Sequence, residues 1–174
     1  MNFDSSLCFF VFVFISDLSD FLKRLNDFSQ KNNVVIQGFD ARKIADAEHL
    51  SFSVYRAKQA FLNQTNEAKD IGLEVLRFSS GQKKIDKAFS MGLIQGENRS
   101  VFILFGETDA ALQTAKKAFL EEFETSEIPE PIPGEKKPFL MKQFDITKEE
   151  LEVVGENKIN DLVMERVALV DITR

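Results

Sequence analysis

Two short apolar runs constrain this chain more than any other feature: Cys8-Phe9-Phe10-Val11-Phe12-Val13-Phe14-Ile15 and Val101-Phe102-Ile103-Leu104-Phe105. The first has eight apolar residues, whereas a membrane-spanning helix needs about 20. Asp4 is the one charged residue before it, and no small-residue cleavage site precedes Asp17, so it lacks the pattern of a targeting segment. It reads as a buried central strand, and Val101–Phe105 as the clearest strand after it. A soluble, cytoplasmic protein is the expectation.

Helical patterns fill most of the chain around these strands. Ser16 or Asp17 can cap a helix whose apolar positions Leu18, Phe21, Leu22, Leu25 and Phe28 recur every three or four residues. Asn32-Asn33 suits a turn, and Val34-Val35-Ile36 reads as a short buried strand closed by Gly38. A short helix to about Ala47 and a longer one from His49 to Leu62 follow, ended by the turn chemistry of Asn63-Gln64-Thr65-Asn66. A brief helical turn is expected near Glu67–Ile71. Leu73–Phe78 fits a strand or a helix, since six residues hold too little periodicity to decide. Ser79 or Ser80 is expected to cap a helix reaching Met91-Gly92, and Thr108 one that buries Ala111, Leu112, Ala115, Ala118 and Phe119.

All four prolines fall in 127–138, which reads as an exposed, partly extended connector. Beyond it, Thr147 with Glu150 forms a capping-box pattern. Asn157 is then expected to cap a helix carrying Ile159, Leu162, Val163 and Val167. Two to four strands among helices, in 174 residues, suit one compact α+β domain spanning 1–174, with several helices packed on a small mixed or antiparallel sheet. Eighteen Phe against one Tyr and no Trp would supply most of its core.

The inventory for catalysis is poor. His49 is the single histidine and Cys8 the single cysteine, which excludes a His-rich or Cys-built metal site and an intrachain disulfide. No motif positions a nucleophile beside His49, and its simplest role is capping or packing at a helix start. Gly81-Gln82-Lys83-Lys84 lacks the paired glycines and the Gly-Lys-Ser/Thr ending of a phosphate loop. The expectation is a binding protein without catalytic residues, cofactor or metal.

Binding has two candidate surfaces. Lys83, Lys84 and Lys87 place three positive charges within five residues at an expected helix start, where backbone N–H groups also attract phosphate. They fit a phosphate-binding patch or an ordinary solvated helix face. His49, Phe52, Arg56, Gln59 and Asn63 share a stripe at helical spacing, able to stack on and hydrogen-bond an unpaired base, or to form a plain polar surface with Phe52 turned inward. The net charge of −6 repels nucleic acid overall, so any RNA contact has to be local.

Several segments, taken in order, resemble a known family. They are His49-Leu50 opening a helix with Ala57 and Ala60, then Glu74-Val75-Leu76, then Ser80-Gly81-Gln82-Lys83-Lys84-Ile85. Val101–Phe105 and Glu165-Arg166-Val167-Ala168-Leu169-Val170 complete the series. The pattern is similar to the kinase-binding, tRNA-binding small subunit of the KEOPS complex, the PRPK-binding protein family in its archaeal form. Lys83-Lys84 stands where that pattern has Arg-Gln, which keeps one positive charge and loses the planar fork and the amide. The resemblance implies a non-catalytic subunit that binds the kinase-like ATPase of KEOPS and recruits tRNA through its CCA end for threonylcarbamoyladenosine modification. His49, Arg56, Lys83, Lys84 and Lys87 are then the candidate RNA contacts. The exposed sides of 81–91 and of the C-terminal helix are the candidate kinase surfaces. A protein-binding regulatory adaptor without useful RNA affinity is the alternative.

Overall fold

The computed structural model describes residues 4–172. Its elements give the expected α+β class: a three-stranded sheet and eight α-helices among the described residues. The chain divides into two compact units, each made of two stretches: Met1–Ala41 with Leu93–Glu130, and Arg42–Gly92 with Pro131–Arg174.

The first unit holds the sheet. Its strands β1 (Ser5–Ile15), β2 (Val35–Asp40) and β3 (Gly96–Gly106) lie in the order β1-β3-β2, antiparallel throughout. The central strand is therefore β3, and the expectation for the first apolar run is corrected: β1 is an edge strand. Phe9, Val11, Val13 and Ile15 are buried, while Phe10 between them is half-buried and Phe12 and Phe14, like Cys8 before them, are exposed. This is the period-two pattern of a strand with one face in the core. The outer edge of β1 is partly covered, since Ile128 N–H donates to the Phe10 carbonyl at 2.9 Å and Glu127 bridges to Val11. Such cover restrains edge-to-edge association. Gly38 does not close β2 but sits inside it, opposite Phe102, where an added Cβ would come within 2.7 Å of the Phe102 ring.

Helices α1 (Leu18–Asn32) and α5 (Asp109–Glu122) supply the other side of the core. Asp17 caps α1 and Thr108 caps α5, each side chain accepting a backbone N–H three residues on. Asn33 ends α1 in the left-handed region at φ 51°. Phe119 lies at the centre, with ring centroids 4.7 Å from Phe102, 5.3 Å from Phe9 and 4.6 Å from Phe123. Burying each ring contributes about 1.5–3 kcal/mol. Phe does not serve the core throughout the chain, however: Phe12, Phe14 and Phe89 are exposed.

The second unit is helical: α2 (Ala47–Leu62), α3 (Ile71–Ser79), α4 (Ile85–Ala88), α6 (Pro133–Gln143), α7 (Lys148–Val154) and α8 (Ile159–Ala168), with a 3-10 turn at Phe89–Met91. Leu73–Phe78 is helical, as part of α3. Every residue of α3 except Leu73 is buried, so the segment has no polar face from which a period could be read. The helical turn expected at Glu67–Ile71 does not form; a non-helical stretch leads to Asp70, which caps α3 through Leu73 N–H at 3.0 Å. The expected connector is helical in its second half, since Pro133 starts α6 at a position whose N–H has no partner in any helix. Thr147 caps α7 by accepting Glu150 N–H at 3.1 Å, but the Glu150 carboxylate bonds Arg166 rather than closing the box. Helix α8 has no side-chain cap, and Lys158 rather than Asn157 stands at its start.

Candidate functional site

The five residues singled out from the sequence all fall in the second unit. Their surroundings differ sharply.

His49 is fully buried in the first turn of α2. Its Nδ1 accepts the Ala45 N–H at 3.0 Å, which leaves Nε2 as the donor to the Ser79 carbonyl at 2.9 Å. Burial is the leading cause that lowers its pKa to about 4, so the ring is neutral near pH 7. The ring packs edge-on against Phe144. The buried seam of α2 runs His49-Ser53-Ala57-Ala60, so the imidazole belongs to the interior of the unit rather than to an open polar stripe. Within the expected stripe only Asn63 is exposed; Phe52, Arg56 and Gln59 are half-buried. Sequence spacing placed these residues on one face but could not say which face was covered.

Arg56 is engaged as well. Its Nη1 donates to the Ala168 carbonyl and its Nη2 to Asp171, each at 3.1 Å. Asp171 also accepts from Nη1 of Arg77, a fully buried side chain whose Nε and Nη2 both donate to Glu74 Oε1, at 3.2 and 2.6 Å. Burial opposes the Arg77 charge most strongly of any one cause, but the carboxylates of Glu74 and Asp171 together outweigh it and hold the guanidinium above its ordinary pKa. The sequence reading passed over this network. Glu74 and Arg77 stand three apart on one helix, which is a legible pairing signal. Asp171 is 94 residues from Arg77 and offers none.

The lysines lie outside that interior. Helix α3 ends at Ser79, and Ser80 Oγ accepts the Gln82 N–H at 3.1 Å as the chain turns. Gly81 takes φ +67°, and a Cβ there would come within 3.2 Å of the Phe144 ring and 3.4 Å of Arg166 Cβ. Lys83 and Lys84 follow in this turn, and the helix they precede has four residues with no side-chain cap. The expected long helix with a basic first turn is thus corrected to a basic turn, and the phosphate reading rests on side-chain charge alone. Lys83, Lys84 and Lys87 are all exposed.

An open groove of about 390 Å³ lies beside this turn, lined by Gly81, Lys83, Glu150, Glu165, Arg166, Leu169 and Val170. Arg166 within it is paired with Glu150 at 2.6 Å and with Glu165 at 3.7 Å.

Charge divides unevenly between the units. The first has six basic and thirteen acidic side chains, the second sixteen and fifteen. Within the second, residues 42–92 carry nine basic against six acidic groups. The acidity of the whole chain therefore resides in the unit without candidate contacts. Among the described residues no cluster of His, Cys, Asp and Glu is arranged to hold a metal ion, and no helix is long and apolar enough to cross a membrane.

A family model described as kinase binding protein CGI-121 matches residues 12–171. Comparison with curated proteins gave no match.

Proposed function

The chain belongs to the CGI-121 kinase binding protein family, and from that premise we propose that it is a non-catalytic subunit of the KEOPS complex. In this reading it holds the kinase-like ATPase subunit and recruits tRNA through the CCA end for threonylcarbamoyladenosine modification. The carrying observation is the family match, which spans both units from within β1 to the turn after α8.

The RNA part of the proposal uses the basic turn. Lys83, Lys84 and Lys87 project from the positively charged stretch 42–92, and side chains of this kind bind the phosphates of a single strand through charge. His49 contributes as a positioning residue: it ties the start of α2 to the end of α3, directly before that turn. Apolar side chains exposed near the turn and at the chain end, Phe89 and Ile172 at 56% and 69%, suit the kinase-binding part.

Fluorescence anisotropy with labelled tRNA, intact and lacking CCA, tests the RNA part at fixed moderate salt. The expected result is tighter binding of intact tRNA, lost in Lys83→Glu/Lys84→Glu. Equal binding of the two RNAs, or none, leaves the protein-binding adaptor as the function. Capture of the kinase-like subunit by wild type and by Phe89→Asp tests the kinase part. Undiminished capture by the variant removes Phe89 from that surface.

A further inference from the structure

Two guanidinium groups of the second unit converge on one carboxylate. Asp171 offers one oxygen to Nη1 of Arg77 and the other to Nη2 of Arg56, both at 3.1 Å. The buried Phe78 ring lies against both cations, its centroid 4.3 Å from Arg77 and 5.1 Å from Arg56. Arg77 is also held from within its own helix. Glu74 holds it through Nε and Nη2, and Glu74 is itself fixed by the Ala68 N–H at 2.8 Å. Helices α2 and α3 thus build the cradle, and the residues after α8 supply its occupant.

That occupant is only partly enclosed. Of residues 169–172 only Val170 is buried; Leu169 and Ile172 are exposed, and the Asp171 side chain is 43% accessible. Two guanidinium groups, each giving one N–H to a different oxygen of the same group, also match the demands of a phosphate. In the closed state Glu74 balances Arg77 and Asp171 balances Arg56. Release of Asp171 leaves one positive charge uncompensated.

We propose that Arg56 and Arg77 form an oxyanion cradle whose built-in occupant is Asp171, and that a ligand phosphate displaces it and frees residues 169–172. Residues 169–172 are then a strap that closes the site when no ligand is present. A free phosphate compound and an RNA phosphodiester share this chemistry. Only the RNA source rests on the reading above, and the failure of that reading is seen separately, in tRNA binding through the lysine turn.

The test uses the full chain. Calorimetry compares inorganic pyrophosphate binding by wild type, Asp171→Asn and Arg56→Gln/Asp171→Asn at constant ionic strength. Hydrogen exchange follows the Leu169, Val170 and Ile172 amides of wild type with pyrophosphate, or with a short RNA ending in CCA. A strap closed 90–99% of the time weakens apparent affinity by about ten- to a hundredfold. Asp171→Asn is therefore expected to bind pyrophosphate tighter by that factor, the double variant to lose the gain, and wild-type strap exchange to quicken with ligand. Faster exchange with one ligand alone supports the cradle and identifies the source. Should Asp171→Asn not fold, the wild-type exchange decides. Equal affinities, or strap exchange unmoved by both ligands, overturn the proposal.

Discussion

The imidazole of His49 reaches across 2.9 Å to the carbonyl oxygen of Ser79, and so joins the first turn of α2 to the last residue of α3. With Ala45 N–H on the other nitrogen, a single histidine satisfies two buried backbone groups. The fold holds this ring neutral, with a pKa of about 4 against 6.5 when unfolded. Stability from this residue is complete above about pH 6.5 and is lost as pH falls toward 4, because the unfolded chain takes up the proton first. The difference amounts to about 3 kcal/mol. Urea unfolding of wild type and His49→Gln between pH 4 and 7 is expected to show a shallower pH dependence in the variant. Parallel profiles would mean that His49 does not titrate with folding.

The buried Glu74–Arg77 pair is expected to be intolerant of half-removal. Arg77→Met leaves a carboxylate enclosed without its partner, at a cost of about 3–5 kcal/mol. Glu74→Gln/Arg77→Met is expected to recover much of that loss, since no uncompensated charge remains. A double-mutant cycle by denaturant unfolding measures the coupling. Additive losses would show that the two charges do not depend on each other.

Gly81 combines a left-handed backbone with two close neighbours, Phe144 and Arg166. Gly81→Ala is expected to cost about 1–2 kcal/mol from the left-handed conformation and, beyond that, from crowding against the Phe144 ring. The midpoint of thermal unfolding reads it directly. The same substitution is expected to weaken tRNA binding, because Lys83 and Lys84 follow Gly81 in the turn it sets.

The α+β class was legible because β1 and β3 are long apolar runs, and α1 and α5 carry clean caps and periodic faces. Contacts distant in sequence were not. The edge position of β1 follows from pairing with a strand some ninety residues away. The burial of His49 follows from Ser79 and Phe144, neither of which its helix encodes. Asp171, which turns Arg56 from a surface cation into a tethered one, lies 115 residues beyond it. For the lysines the sequence identified the charge but not the backbone: Ser80 serves the turn after α3 instead of opening a long helix.

If the basic turn meets phosphate directly, its lysines act through counterion release, and that has a signature distinct from structural damage. Each side chain that neutralises a single-strand phosphate adds about 0.7 to the slope of log affinity against log salt. Lys84 and Lys87 are exposed, so replacing them by Gln removes charge with little effect on the fold. Lys84→Gln/Lys87→Gln is expected to lower that slope by about 1.4 in a tRNA anisotropy series, and to lower affinity most at low salt. Capture of the kinase-like subunit should be unchanged, since charge on this turn is assigned to RNA. A fall in affinity at unchanged slope would mean that the two lysines shape the surface without touching the phosphates, and the contact would have to be sought elsewhere in residues 42–92.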